Sequence, residues 1–126
     1  MAYEIMWDDE DKTILRQIFS ERVTMKDYYE ANDEAIKLIN QQAHNVDLIL
    51  DLRTATIDMT GFLGAIRSVD KKIPTNLRLR VVVKANQFIR TMAGIAGKFT
   101  KRATEDLHFV DNLDEAYLLI KSHERG

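Results

Sequence analysis

The first part of the chain has apolar residues at alternate positions, which is typical of β-strands with one buried face. This pattern predicts strands over Tyr3–Trp7 and Thr13–Phe19. The charged segment Asp8–Lys12 lies between them and is short enough for a turn. Two strands joined by a short polar turn predict a β-hairpin at the start of the fold.

A helical spacing of apolar residues follows the predicted hairpin. Thr24 is a suitable N-cap residue, and Asp27 stands where an acidic side chain favours the first turn of a helix. Apolar residues then recur three or four positions apart from Tyr28 to Ile39. We therefore predict one amphipathic helix that runs from Thr24 to about Gln42.

The rest of the chain alternates between strand-like and helix-like patterns. The strands are predicted at Val46–Leu52, Leu77–Lys84 and Leu107–Val110, and the helices at Ile57–Val69, at Gln87–Phe99 and after a cap at Asp111 or Asn112. The run Val46–Leu52 is almost wholly apolar, as in a central strand covered on both faces. The order β-β-α-β-α-β-α-β-α predicts an α/β fold with a mixed, mostly parallel sheet of about five strands and four covering helices.

Composition limits the classes of protein to which this chain can belong. Its 126 residues suit a single domain over residues 1–126. It has no cysteine, which excludes disulfides and thiolate metal sites. The net charge of −2 gives no general attraction to nucleic acid. The start of the chain does not resemble a secretory signal, and no apolar run is long enough for a membrane span. We expect a cytoplasmic protein that is not transmembrane.

The most informative segment follows the predicted central strand. Because ligands of open α/β sheets meet the carboxyl ends of the strands, the stretch from Arg53 to Thr60 is a candidate site. Asp58 and Thr60 would stand at the mouth of the next helix, where a carboxylate or hydroxyl caps free N–H groups. Thr60 is either such a cap or a phosphorylation site, whose added negative charge would change partner binding.

The strand Leu48–Leu52, followed by Ile57-Asp58-Met59-Thr60-Gly61, resembles the STAS domain (sulphate transporter and anti-sigma factor antagonist) and its SpoIIAA-like relatives. In the family's signature the helix opens with an acidic residue, hydroxyl residues and glycine. Met59 replaces the first hydroxyl residue, and Arg53 stands where serine is common. The resemblance implies a non-enzymatic regulatory or protein-interaction module, possible phosphorylation at Thr60, and a partner-binding loop made of Arg53, Asp58, Met59 and Gly61.

A second candidate surface is basic. Lys84, Arg90 and Lys98 belong to a local cluster of positive charge around the predicted helix Gln87–Phe99. The cluster is either a solvated helix face or a surface for an anionic ligand, a lipid headgroup or a partner. The CRAL-TRIO-like relatives of the resembled fold imply an alternative role, the binding of a lipid or other small hydrophobic molecule. The same helix or an exposed sheet edge is also a candidate homodimer interface.

Motifs for catalysis and for metal binding are absent from the sequence. There is no Walker loop, no dinucleotide-binding glycine motif and no nucleophile elbow. The three histidines, His44, His108 and His123, are far apart and have no metal-ligand spacing. We therefore expect no cofactor and no metal, and we rank an enzyme behind the two binding roles, since it would need a cleft with convergent polar groups.

Overall fold

The computed structural model describes residues 2–58, 60–61, 73–85, 90 and 106–123. Within these residues five strands form one sheet in the order β1-β2-β3-β4-β5. The elements are β1 (Tyr3–Trp7), β2 (Ile14–Val23), α1 (Met25–Asn40), β3 (Val46–Ile57), β4 (Leu77–Val83), β5 (Leu107–Val110) and α2 (Leu113–His123). β1 and β2 are antiparallel, and the other neighbours are parallel. The predicted hairpin and the mixed, mostly parallel sheet are confirmed.

Two of the four predicted helices are found among the described residues, as α1 and α2. The prediction for Gln87–Phe99 lies outside the described residues except for Arg90, which is helical. Most of the predicted helix Ile57–Val69 also lies outside them. Its first residue, Ile57, belongs to β3 instead.

The alternation of side chains along β3 divides the core into two layers. Val46, Leu48 and Leu50 pack on the same side as the buried residues of α1. Ile49 points to the opposite side, where Ala116 and Ile120 of α2 are buried. One helix therefore covers each face of the central strand, which explains why its sequence is apolar almost without interruption.

The start of α1 has the predicted cap. The side chain of Thr24 accepts a hydrogen bond from the amide of Asp27, and the carboxylate of Asp27 accepts one from the amide of Thr24. At the start of α2 the side chain of Asn112 accepts a hydrogen bond from the amide of Glu115 at 2.9 Å. Of the two predicted candidates, Asp111 and Asn112, the capping residue is therefore Asn112.

The predicted ends of β2 and β3 are wrong. β2 continues past Phe19 to Val23, and β3 continues past Leu52 to Ile57. Ser20–Val23 pairs in parallel with Thr54–Ile57 after an irregularity between Ile18 and Ser20. The cause is pairing: the two stretches satisfy each other's backbone groups, although neither looks like a buried strand by itself.

The extended pairing creates a two-stranded ribbon at one end of the sheet. β4 pairs with β3 only up to Asp51, opposite Val83. Lys84 then adopts a φ of +66°, a left-handed conformation that ends the strand. Within the described residues, Ser20–Val23 and Thr54–Ile57 therefore continue without a third strand, and we call this pair the β2–β3 ribbon.

A polar network attaches α2 to the sheet. The hydroxyl of Tyr117 donates a hydrogen bond to Asp8 in the β1–β2 turn, and Asp8 lies 3.4 Å from the guanidinium of Arg16. Burial and the neighbouring Asp8 carboxylate raise the pKa of Tyr117 to about 12. The Tyr117 phenol is therefore neutral at ordinary pH values, and its hydroxyl donates the hydrogen bond to Asp8.

Tyr117→Phe is expected to change how stability depends on alkaline pH. The unfolded tyrosine ionises near pH 10 and the folded one near pH 12, so the contribution of Tyr117 is complete below about pH 10 and is lost between these values. Urea unfolding at a series of pH values should therefore show a steeper alkaline loss for wild type than for Tyr117→Phe. Tyr3 and Tyr28 are present in both proteins, so parallel curves would contradict the assignment.

Candidate functional site

The end of the β2–β3 ribbon forms an open groove with a volume of about 580 Å³. The described residues that line it are Glu21, Arg22, Thr56, Ile57 and Asp58. These residues stand at the carboxyl ends of two parallel strands, the edge at which open α/β sheets usually bind ligands. The groove therefore coincides with part of the segment that the sequence selected.

Asp58 organises the chain as it leaves the ribbon. Its amide donates to the carbonyl of Val23 at 2.8 Å, which closes the ribbon. Its Oδ1 accepts a hydrogen bond from the amide of Thr60 at 3.1 Å, and its Oδ2 accepts one from Nη2 of Arg22 at 3.1 Å. The carboxylate thus holds the turn at Thr60 on one side and the guanidinium of Arg22 on the other.

The electrostatics of this cluster favour an ionised Asp58. Hydrogen bonds from the amide and the hydroxyl of Thr60, followed by the interaction with Arg22, hold the pKa of Asp58 below its usual value. The Arg22 side chain is 77% exposed, so this ion pair alone adds little to stability. Its importance lies in placing a positive and a negative group beside the exposed residue Thr60.

Gly61 has a backbone conformation that the turn after Thr60 requires. Its φ is +81°, a left-handed value that glycine adopts without strain. A Cβ at this position would lie 4.0 Å from Cγ of Met25, so the turn returns toward the first residue of α1. The backbone conformation of this turn therefore explains why glycine stands at position 61, in the segment that resembles the STAS domain.

The predicted partner-binding loop is divided by the structure. Asp58, Thr60 and Gly61 lie together, and Met59 lies outside the described residues. Arg53 is far from them, because the strand between Arg53 and Asp58 is extended and spans about 16 Å. Its Nε and Nη2 bind Asp51 at 2.9 and 2.8 Å. Burial favours the neutral acid, but the bonds from Arg53 outweigh it and lower the pKa of Asp51.

The predicted basic surface lies at the ends of β4 and β5, beside the base of the ribbon. Lys84 is exposed, and its amide donates to the carbonyl of Val110. Arg90 binds the carbonyl of Ala85 and the carboxylate of Asp111, each at 3.3 Å, and its guanidinium lies 5.6 Å from the centre of the Phe109 ring. These contacts join neighbouring segments of the chain. Lys98 lies outside the described residues, as does most of the predicted helix Gln87–Phe99.

Sequence reasoning missed Arg22 and Glu21 as site residues. Arg22 lies between the predicted strand that ends at Phe19 and the predicted helix that begins at Thr24, whereas in the structure it belongs to the ribbon and binds Asp58. Glu21 has a φ of +59°, an uncommon conformation for a residue other than glycine. The alternation of Thr54 and Thr56 with Ala55 and Ile57 was the signal that would have revealed the ribbon.

Comparison with known proteins identifies the fold. No protein-family model matches the chain, and no curated protein matches it. It is similar to the crystal structure of an uncharacterized protein of the DUF3478 family with a SpoIIAA-like fold, from Shewanella loihica PV-4. The TM-score is 0.59 at 13% identity, over 92% of this chain and 90% of the other. The chain therefore has a SpoIIAA-like fold, as the sequence resemblance implied. No helix in the described ranges is long and apolar enough to cross a membrane.

Proposed function

We propose that the chain is a non-enzymatic regulatory module that binds a protein partner through the end of the β2–β3 ribbon. The observation that carries this proposal is the cluster of Arg22, Asp58 and Thr60, which places two opposite charges and an exposed hydroxyl on one protruding edge. The SpoIIAA-like fold supports the class of role that the sequence resemblance implies. We place this role in the cytoplasm.

The same cluster supports a switch at Thr60. The Thr60 hydroxyl now bonds with the ionised carboxylate of Asp58. A phosphate would remove that donor and add about −1.5 to −2 charges beside the carboxylate, so the two groups would repel each other. Arg22 would then bind the phosphate in preference, because charge-assisted hydrogen bonds to phosphate are strong. Phosphorylation would therefore rearrange the turn that the partner meets.

The chemistry of the groove supports binding rather than catalysis. General acid–base catalysis is most efficient when the pKa of the group lies near the working pH. The hydrogen bonds of Thr60 move the pKa of Asp58 away from that range. The groove is open, so it offers little protection from water to a reacting group.

Partner capture with variants of Thr60 tests the proposal. We expect Thr60→Glu to reduce recovery of the partner at least tenfold, on the order of the 1.4 kcal/mol that separates tenfold affinities. Thr60→Ala should retain binding but should no longer respond to a kinase. Thr75→Glu is the matched control, because Thr75 is exposed in the turn before β4, at the amino end of that strand.

Equal recovery of the partner by all three proteins would contradict the proposal. If wild type, Thr60→Glu and Thr60→Ala recover the same proteins in equal amounts, the ribbon end is not a switched interface. Phosphopeptide mapping of the protein isolated from its own cells gives an independent check. A phosphate found at another hydroxyl and never at Thr60 would show that Thr60 is not the phosphorylation site.

A further inference from the structure

Two histidines that are distant in sequence are neighbours in the fold. His108 lies on β5 and His123 lies in the last turn of α2. Their ring centres are 5.8 Å apart, with an angle of 56° between the ring planes. The pair forms because α2 packs back against β4 and β5, with Ala116 and Ile120 in the core. Sequence spacing gave no sign of it.

The hydrogen bonding of His123 leaves one ring nitrogen available. Its Nδ1 lies 3.0 Å from the carbonyl oxygen of Leu119. A carbonyl only accepts hydrogen bonds, so Nδ1 carries the proton and Nε2 of the neutral ring has a free lone pair. Imidazoles that bind metals commonly donate the other ring N–H to a backbone carbonyl in this way. Among the described residues, the ring of His108 contacts that of His123 and its side chain makes no hydrogen bond.

The separation of the rings suits a shared ion. Metal–nitrogen distances of about 2.0–2.1 Å place each ring centre roughly 3.2 Å from the ion. Two imidazoles at a tetrahedral angle then have centres about 5 Å apart, and a wider angle brings them to nearly 6 Å. The observed separation of 5.8 Å lies within this span.

We propose that His108 and His123 form a binding site for a divalent transition metal ion of the Cu²⁺, Ni²⁺ and Zn²⁺ class. Neutral imidazole suits these ions, and the Irving–Williams order places Cu²⁺ first among them. The described residues include no cluster of three or more histidine, cysteine, aspartate or glutamate ligands. Water would complete the coordination, so a bound ion would exchange readily.

Calorimetric titration with Ni²⁺ and Zn²⁺ tests this site. The protein is produced without a polyhistidine tag and is treated with a chelator first. We expect one ion per chain, with affinity at least about tenfold lower in His108→Gln and in His123→Gln. His44→Gln is the matched control, since His44 lies before β3 and its Nε2 is 2.9 Å from the carbonyl of Lys12. It should bind as wild type does.

A second measurement separates loss of a ligand from loss of the fold. The ion should raise the melting temperature of wild type and of His44→Gln, because binding to the folded state alone stabilises it. The two site variants should melt like metal-free wild type and gain nothing from the ion. Failure of wild type to bind, or equal affinity in all four proteins, would overturn the proposal without affecting the proposed role of Thr60.

Discussion

Phe19→Ala is expected to lower the free energy of unfolding by about 3–5 kcal/mol, the usual cost of truncating a fully buried phenylalanine. The Phe19 side chain is 1% exposed in the layer beneath α1. Its ring centre lies 6.5 Å from that of Tyr3 and 6.4 Å from that of Tyr28, so it joins β1, β2 and α1. The substitution leaves a cavity at the meeting point of these three elements.

The position of Phe19 links this loss of stability to the candidate site. It lies between Ile18 and Ser20, where the pairing of β2 and β3 changes register and the ribbon begins. Its carbonyl accepts a hydrogen bond from the hydroxyl of Thr54 at 3.3 Å. Urea unfolding measures the loss, and Phe19→Leu is the control that keeps most of the apolar volume. A loss in Phe19→Leu as large as that in Phe19→Ala would contradict the cavity as the cause, and no loss in Phe19→Leu would show that the ring contacts contribute nothing.

Asp47→Ala is expected to cost about 3 kcal/mol, because it removes one partner of an ion pair on the opposite face of the sheet. The carboxylate is 6% exposed and receives two hydrogen bonds from Arg78, at 2.8 and 2.6 Å. It also accepts a hydrogen bond from the amide of Leu79 at 3.2 Å. Its loss removes the acceptor of a buried amide and one partner of the Arg78 guanidinium.

The double variant Asp47→Leu with Arg78→Met shows whether the destabilisation comes from the loss of a charge or from the loss of packing. Replacing both partners of a buried pair by apolar residues is often neutral or stabilising. We therefore expect the double variant to be more stable than Asp47→Ala in urea unfolding. Glu30→Ala, at an exposed position within α1, should change stability by less than about 0.5 kcal/mol. A small loss in Asp47→Ala would show that water replaces the carboxylate readily.

The apolar parts of the fold could be predicted from the sequence because their side chains decide their conformation. Val46–Leu52 was assigned to the central strand on its composition alone, and it lies between two helix-covered faces. The cap formed by Thr24 and Asp27 was predicted from local hydrogen-bonding capacity. The polar ends of β2 and β3 were missed because their strand conformation depends on each other's backbone groups.

The candidate site could likewise be predicted only in part, from the residues of its local motif. Asp58, Thr60 and Gly61 were selected from a short motif, and the structure places them in one turn. Arg22 could not be selected, since its relation to Asp58 arises from the register between two strands. The pairing of His108 with His123 depends likewise on how α2 returns to the sheet. Contacts that depend on tertiary structure are hard to predict from the spacing of residues along the chain.

Site-specific photo-crosslinking tests directly whether the end of the β2–β3 ribbon is the partner-binding surface. A photoreactive amino acid is placed at Thr56, an exposed residue that lines the groove, or at Lys37, on the exposed face of α1. Both proteins are irradiated in living cells of the native host. We expect a discrete cross-linked species from position 56 that is absent from position 37 and is lost when Thr60→Glu is added. Equal cross-linking from both positions, or none from position 56, would contradict the assignment of the ribbon end as the partner-binding surface.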